Sequence, residues 1–132
     1  MKDQMTSQEI FDIAVSGVLG QGGVSVDLYG NCLYNGPKGR HCAAGWVFRA
    51  MGINPAEETN ARSVIYDHKD QITVNEDNVV ILGKLQTAHD SIAQRALHDD
   101  VEQLTLLASY FREVARIYNL DDSACNTRPS CA

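Results

Sequence analysis

The sequence lacks the features of a membrane protein and of a protein that binds DNA. Although 44% of the 132 residues are hydrophobic, no apolar run approaches the roughly 18 residues that a membrane span requires. Lys and Arg number 11 against 17 Asp and Glu, which gives a formal net charge of −6. Duplex DNA is bound through clusters of Lys and Arg that neutralise its phosphates, and this chain has no such cluster. We therefore predict neither membrane insertion nor binding to duplex DNA.

We expect no secretion signal, and metal-binding cysteine pairs are not found in the sequence. Residues 1–10 contain acids and glutamines where a signal peptide has a basic start and an apolar core, so we expect a cytoplasmic protein. None of the four cysteines belongs to a C-x-x-C pair, the spacing of many structural zinc sites. Because we expect a cytoplasmic protein, we expect the thiols to be reduced, with a disulfide between Cys32 and Cys42 only in an oxidising compartment. We predict no metal and no cofactor.

Catalytic patterns are absent as well. The chain has no G-x-x-x-x-G-K-[ST] phosphate loop, no dinucleotide fingerprint and no ordered set of Ser, His and Asp. At 132 residues it is long enough for one domain that buries about two-thirds of its unfolded surface. We therefore favour a non-enzymatic protein with a single domain over residues 1–120. A polar, flexible tail is expected over 121–132, where Cys125 and Cys131 would be exposed.

Hydrophobic periodicity predicts a mainly α fold. Thr6 and Glu9 form a capping box that starts a helix at about Ser7. The helix is expected to end at Gly20, Gln21, Gly22 and Gly23. Further helices are expected over 41–51 with a cap at Gly52, over 61–68, from Asn75 or Asn78 through Ile92, and from about Asp99 through Tyr118. The last two helices would pack antiparallel.

A short β-hairpin or a glycine-rich loop is expected after the first helix. Apolar and polar residues alternate over 24–28, and residues 32–34 could return against them, which would make the fold small α+β. The loop continues to residue 45 with the sequence NCLYNGPKGRHCAAG, whose turn residues require sharp bends. We assign a structural role in this loop to Cys32, Gly36, Pro37, Gly39, Cys42 and Gly45.

The same loop is basic, and its glycines can present backbone N–H groups to an anion. Lys38 and Arg40 would supply positive charge, and Tyr34 or Trp46 a surface for stacking. The predicted ligand-binding residues are Tyr34, Lys38, Arg40, His41 and Trp46. A tight, solvent-exposed turn needs the same residue types, and solubility would equally explain the two cations.

Two further side chains have both a structural and a chemical interpretation. His89 shares a helical face with apolar residues, and we predict that it is a hydrogen-bonded core residue that ties its helix to the Tyr34 loop. The alternative is a divalent metal site in which His89 and Asp90 are joined by His98, Asp99 and Asp100, with a further ligand from His68 and Asp67 or Asp70. Cys42 lies at the start of a helix, where the helix dipole can stabilise a thiolate. Close packing of a small buried residue is the interpretation that we favour for Cys42.

Three segments together resemble a group of small uncharacterised proteins of tailed phages and bacterial prophages. The segments are the helix QEIFDIAVSGVL, the loop CLYNGPKGRHCAAG and the later KLQTAHD. The pattern of the group is C-L-Y, G-P-x-G, C-A-x-G and, downstream, L-Q-x-x-H-D. It matches here at Cys32, Leu33, Tyr34, Gly36, Pro37, Gly39, Cys42, Ala43, Gly45, Leu85, Gln86, His89 and Asp90. The resemblance implies a phage or prophage origin and a compact helical domain, and it transfers no activity.

Three functions are compatible with these observations, and we favour the first. Small non-enzymatic phage proteins commonly occupy a host protein, so we expect an accessory protein in the host cytoplasm that modulates a host factor, for example a defence protein. Its contact surface is predicted to comprise Trp46, Phe48, Arg49, Tyr110 and Arg112. The second function is binding of a small anionic ligand such as a nucleotide by residues 32–40, in a homo-oligomer if the site lies between protomers. The third is a thiol enzyme that uses Cys42.

Overall fold

Five α-helices dominate the described part of the chain. The structure, a computed structural model, describes residues 5–27, 29, 31–68, 76–95 and 100–129. The helices are α1 (Ser7–Gln21), α2 (Ala43–Ala50), α3 (Ala61–Asp67), α4 (Glu76–Ala93) and α5 (Asp100–Tyr118), with short 3-10 helices at Pro37–Gly39 and Ser123–Asn126. The mainly α fold is thereby confirmed. No helix in these ranges is long and apolar enough to cross a membrane.

The first two helices begin or end where local sequence signals place them. At the start of α1, Thr6 Oγ1 accepts the Glu9 N–H at 3.1 Å and Glu9 Oε1 accepts the Thr6 N–H at 3.2 Å, which is the predicted capping box. At the end of α2, Gly52 has a left-handed φ of 76°. The N–H groups of Gly52 and Ile53 donate to carbonyls of the last turn at 3.0 and 2.8 Å. This pair of hydrogen bonds is a Schellman motif, so the predicted end of the helix at Gly52 is confirmed.

The fourth helix lies at the centre of the packing. It contacts α1, α2, α3 and α5, and α1 also packs against α2 and α5. It begins before Asn78, and the other predicted cap, Asn75, lies outside the described residues. The core is built from large side chains with almost no exposed surface, among them Phe11, Leu19, Phe48, Leu82, Leu85, Ile92, Leu107 and Phe111.

The predicted β-hairpin after α1 is not supported. In residues 24–27 and 31–34 the structure has a single isolated antiparallel bridge, between Val26 and Cys32. The Asp27 carboxylate accepts hydrogen bonds from the N–H groups of Tyr29 at 2.8 Å and Asn31 at 2.9 Å. It thereby competes with strand pairing for these backbone donors. Side-chain bonds of this kind favour a turn over a ladder. The segment is therefore a glycine-rich loop, which was the predicted alternative to the hairpin.

The segment after α5 packs onto the helices as far as it is described. Its 3-10 helix at Ser123–Asn126 contacts α1 and α5, and the Gln8 side chain bonds both the carbonyl and the N–H of Asp121, at 2.9 and 2.8 Å. Cys125 is only 3% exposed, and burial raises the pKa of its thiol to about 11. The prediction of an exposed thiol is therefore wrong for Cys125, while Cys131 lies outside the described residues.

Candidate functional sites

The loop between α1 and α2 separates two concave surfaces. On one side, Cys32 and Tyr34 face a cavity shared with α4. On the other side, Lys38 and Arg40 face a groove along α1. The residues that sequence reasoning had grouped as one ligand site are therefore divided between two places.

The first site, the Trp46 groove, has a volume of about 390 Å³, within the usual range for small-molecule sites. Its lining residues are Ser16, Gly17, Gly20, Gln21, Lys38, Gly39, Arg40 and Trp46. Two of these described residues are cations and none is an acid. The structure thus brings together three of the five predicted ligand residues, namely Lys38, Arg40 and Trp46.

The indole of Trp46 is held in place by a fully bonded amide. Trp46 Nε1–H donates to Gln21 Oε1 at 3.0 Å, and the same oxygen accepts the His41 N–H at 2.8 Å. The Gln21 amide nitrogen donates to the carbonyls of Gly23 at 2.6 Å and His41 at 2.7 Å. Both halves of the Gln21 amide are occupied, so its role is to fix the indole rather than to contact a ligand.

His41 supports the groove from behind. It is buried, and its ring lies edge to face with Trp46 at a centroid distance of 4.6 Å. His41 Nδ1 lies 2.8 Å from the Tyr34 carbonyl oxygen and therefore carries the proton, which leaves Nε2 to accept from Arg49 Nη1 at 3.2 Å. The Arg49 guanidinium lies 5.9 Å from the centre of the Trp46 ring. His41 thus places a third cation beside the groove, and its own ring is not presented to a ligand.

Arg40 has a structural partner as well as a place in the groove. Its Nη1 donates to the Val24 carbonyl at 3.3 Å, just beyond the end of α1. The last turn of α1 contains no basic residue of its own, so Arg40 supplies the cation that favours a helix C-terminus. Lys38 is exposed, with a left-handed φ of 62°. Both cations lie in the groove. Within the described residues the Lys38 side chain makes no hydrogen bond or ion pair, whereas Arg40 also bonds to Val24.

The second site, the thiol–carboxylate cavity, has a volume of about 210 Å³. It is lined by Cys32, Tyr34, Cys42, Glu57, Asn60, Ala61, Gln86 and Asp90. These described residues include two thiols and two carboxylates and no Lys or Arg. The C-L-Y segment, the C-A-x-G segment and the L-Q-x-x-H-D segment, which are distant in sequence, meet at this cavity.

Asp90 is the centre of the hydrogen bonds at this cavity. Its Oδ1 accepts from Gln86 Nε2 at 2.7 Å and from His89 Nδ1 at 3.1 Å, and the Cys32 thiol also bonds to it. Burial alone would raise the pKa of Asp90, but these bonds outweigh it and hold the pKa below the ordinary value of 3.8. Burial, followed by the bond to Asp90, raises the pKa of the Cys32 thiol well above its ordinary value. The cavity thus pairs an ionised carboxylate with a protonated thiol.

His89 is fully buried and both of its ring nitrogens are bonded. Nε2 accepts a hydrogen bond from the Ser25 N–H at 3.0 Å. Nδ1 therefore carries the ring proton and donates a hydrogen bond to Asp90. We predicted that His89 is a hydrogen-bonded core residue that connects its helix to the Tyr34 loop. Its hydrogen bond is made instead to Ser25, the neighbour of Val26, which forms the isolated bridge with Cys32. Because the carboxylate stands between the thiol and the imidazole, His89 is not positioned to take the Cys32 proton. The three residues do not form a nucleophile triad.

Cys42 is the N-cap of α2 and is 1% exposed. Its Sγ accepts the Gly45 N–H at 3.4 Å. Burial nevertheless raises the pKa of the Cys42 thiol to about 12, outweighing that bond. The geometry therefore does not support Cys42 as a nucleophile, because desolvation dominates over the helix N-terminus.

The structural glycines of the loop allow close backbone contact. A Cβ at Gly45 would lie 2.5 Å from the Tyr34 carbonyl oxygen. Gly36 donates its N–H to the Arg40 carbonyl at 2.7 Å, which closes the turn that contains Pro37. Gly39 has a φ of 72°, the left-handed region that favours glycine. These contacts fix the loop between its two surfaces.

Several predicted contact residues are placed elsewhere. Phe48 is fully buried in the core, so its assignment to an exposed contact surface is wrong. Tyr34 is buried, donates its hydroxyl to the Thr59 carbonyl and faces the cavity rather than the groove. On α5, Tyr110 bonds to Arg95, and Arg112 bonds to the 3-10 helix at Ser123–Asn126. Of the five predicted contact residues, Trp46 lines the groove and Arg49 lies exposed beside it.

Glu57, Gln86 and Asp90 line the cavity but were not predicted to share one site. The spacing of Gln86, His89 and Asp90 along α4 was a signal, because positions three and four apart share a helical face. Glu57 gave no signal in its polar connection. Its two carboxylate oxygens accept hydrogen bonds from the N–H groups of Tyr34 at 2.7 Å and Asn35 at 3.1 Å. Glu57 therefore holds this part of the loop in place. His98 and Asp99, which the alternative metal site would have added to His89 and Asp90, lie outside the described residues.

No protein family, curated protein or solved structure matches this chain.

Proposed function

We propose that this protein binds a small anionic ligand in the Trp46 groove and does not transform it. The observation that carries the proposal is the convergence of Lys38, Arg40 and Trp46 on one groove with no acid among its described lining residues. Clefts lined by charges of one sign concentrate counter-ions. Although the net charge of the chain is −6, the charged side chains that line this groove are all positive.

The size and lining of the groove favour a ligand that joins a phosphate to a planar group. Lys38 and Arg40 can bind phosphate oxygens, and the exposed part of the indole offers an apolar surface beside them. The guanidinium of Arg49, held by His41, adds positive charge at the edge of the ring. A volume of about 390 Å³ is sufficient for a mononucleotide. Nucleoside phosphates are therefore the ligand class that we expect.

Docking on a host protein is less well supported by the geometry. Of the five residues predicted to form a contact surface, Phe48 is buried and Trp46 is packed against Gly17 and His41. A phage or prophage origin remains our hypothesis from the sequence. In that setting, the groove would serve to sequester a nucleotide-like signal of the host.

Trp46 is the only tryptophan, so intrinsic fluorescence reports directly on the groove. The experiment titrates the protein with adenosine monophosphate, adenosine triphosphate, inorganic phosphate and adenosine, and repeats each titration by calorimetry. We expect the nucleotides to bind more tightly than inorganic phosphate and adenosine not to bind. Loss of one charge-assisted contact in Lys38→Gln or Arg40→Gln should weaken nucleotide binding about tenfold or more.

The matched control is Lys84→Gln, because Lys84 is an exposed cation on α4 that lines neither site. The Arg40→Gln variant retains a donor for the Val24 carbonyl, and its melting curve shows whether the fold is intact. If wild type bound none of the phosphates, or bound them no more tightly than the Lys38→Gln, Arg40→Gln double variant, the proposal would be wrong.

A further inference from the structure

We infer that the thiol–carboxylate cavity is a binding site for a thiophilic divalent cation of the Zn²⁺ class, with Cys32 and Asp90 as ligands. The Cys42 thiol lines the same cavity. The inference is independent of the Trp46 groove, which lies on the other side of the loop. It rests on the charge of the cavity, the spacing of the donor atoms and the hydrogen bonds behind Asp90.

The charge of the cavity favours a cation. Its described lining contains the carboxylates of Glu57 and Asp90 and no Lys or Arg. Glu57 has both oxygens bonded to backbone N–H groups, whereas the Asp90 side chain keeps 36% of its surface exposed. A carboxylate beside the Cys32 thiol offers one hard and one soft donor, a combination that suits Zn²⁺ better than Mg²⁺ or Ca²⁺.

The donor atoms are close enough to share one ion. One ligand atom from each of Cys32, His89 and Asp90 lies within 4.8 Å of the other two. His89 is nevertheless a positioning residue rather than a ligand, because its Nε2 accepts the Ser25 N–H and its Nδ1 proton is donated to Asp90. With Gln86 it orients the carboxylate, as outer hydrogen bonds do around metal-ligating side chains.

Binding exchanges a proton for the metal. The S–H bond of Cys32 breaks, its proton passes to solvent, and the sulfur lone pair forms the bond to the cation. The Cys32 hydrogen bond to Asp90 is replaced by a metal bridge between the thiolate and the carboxylate. No oxidant or reductant takes part, since the charge is balanced by release of H⁺.

The test uses Co²⁺ and Cd²⁺ as probes, because both give near-ultraviolet charge-transfer absorption when a thiolate binds. The full-length protein is reduced with a phosphine, freed of metal with a chelator, exchanged into buffer and titrated. We expect one equivalent to produce the thiolate band, and Zn²⁺ to abolish the Co²⁺ band by competition. Cys32→Ser should remove the band, and Asp90→Asn should weaken binding about tenfold or more.

The matched control is Cys125→Ala, which removes a described thiol that does not line the cavity and should leave the band and the affinity unchanged. Thermal unfolding provides a second readout, because a ligand of the native state raises the melting temperature. Zn²⁺ should raise it in wild type and in Cys125→Ala, but not in Cys32→Ser. A band that persists in Cys32→Ser, or wild type without any thiolate band, would overturn the inference.

Discussion

The indole of Trp46 lies directly against the backbone of Gly17 in α1. A Cβ built at Gly17 would be within 2.6 Å of three ring atoms of Trp46, closer than any carbon contact permits. The absence of a side chain at this helical position is therefore what allows the ring to reach Gln21 and line the groove. Gly17 lines the groove and, by admitting the indole, also determines its shape.

Replacement of Gly17 by Ala should destabilise the protein and displace the indole. Alanine favours the helix by about 1 kcal/mol, but overpacking against a rigid ring costs about 1–3 kcal/mol, so we expect a net loss of stability. The fluorescence of Trp46 should shift as the ring leaves its bond to Gln21. Urea unfolding and fluorescence spectra measure both effects.

The matched control for that variant is Gly83→Ala in α4, where a Cβ would have no heavy atom within 4 Å. Helix propensity alone then acts, and the free energy of unfolding should rise by up to about 1 kcal/mol. If Gly17→Ala stabilised the protein to the same degree as Gly83→Ala and left the fluorescence unchanged, the packing of Trp46 on Gly17 would be disproved.

His89→Ala should lower the free energy of unfolding by about 1–3 kcal/mol. The variant leaves the buried Ser25 N–H without its acceptor and opens a cavity in the core. His68 is a suitable comparison, because it bonds only to a carbonyl of its own helix in the described structure, and His68→Ala should change stability by less than about 0.5 kcal/mol. Equal melting temperatures for wild type and His89→Ala would contradict the structural role.

The helices could be predicted from sequence because their signals are local. The Thr6–Glu9 capping box and the stop at Gly52 depend on residues within one turn of the helix end. The hairpin prediction failed for the opposite reason, since alternation over 24–28 does not reveal that the Asp27 side chain occupies the N–H groups of Tyr29 and Asn31. A side chain that competes with the backbone overrides a weak strand pattern.

The candidate sites were predicted only in part, because they depend on how the loop is packed. Lys38, Arg40 and Trp46 were expected to act together and do share a groove. Tyr34 was expected with them, yet its hydroxyl is drawn to the Thr59 carbonyl on the other side of the loop. The meeting of Cys32 with Asp90 depends on the packing of the loop against α4, which no spacing in the sequence encodes.

Native Cys42 should resist alkylation. The thiolate is the reactive species, and Cys42 is both buried and shifted to a pKa of about 12. At pH 8, iodoacetamide should modify Cys42 about 100-fold or more slowly in buffer than in concentrated urea, because reaction requires the structure to open. Peptide mass spectrometry over time gives the rate for each cysteine. Fast native alkylation of Cys42 would restore the thiol-enzyme hypothesis.

The stability of the reduced, metal-free protein should fall above pH 9 because of the buried thiols. The pKa of Cys42 rises from 9.0 to about 12 on folding, so above pH 9 the unfolded chain loses a proton that the native state keeps, and unfolding becomes more favourable. One such thiol lowers the free energy of unfolding by about 1 kcal/mol between pH 9 and pH 10. Cys42→Ala should remove that part of the decline.

Between pH 6 and pH 8 the thiol is protonated in both states, so the difference in stability between Cys42→Ala and wild type should be constant there. Urea unfolding at intervals of half a pH unit from 6 to 10 tests both ranges with the same pair of proteins. Cys125→Ala should show a similar flattening, because burial raises the pKa of Cys125 to about 11. Parallel curves for wild type and Cys42→Ala above pH 9 would mean that Cys42 ionises as readily in the native state as in the unfolded chain, and that the cavity admits solvent.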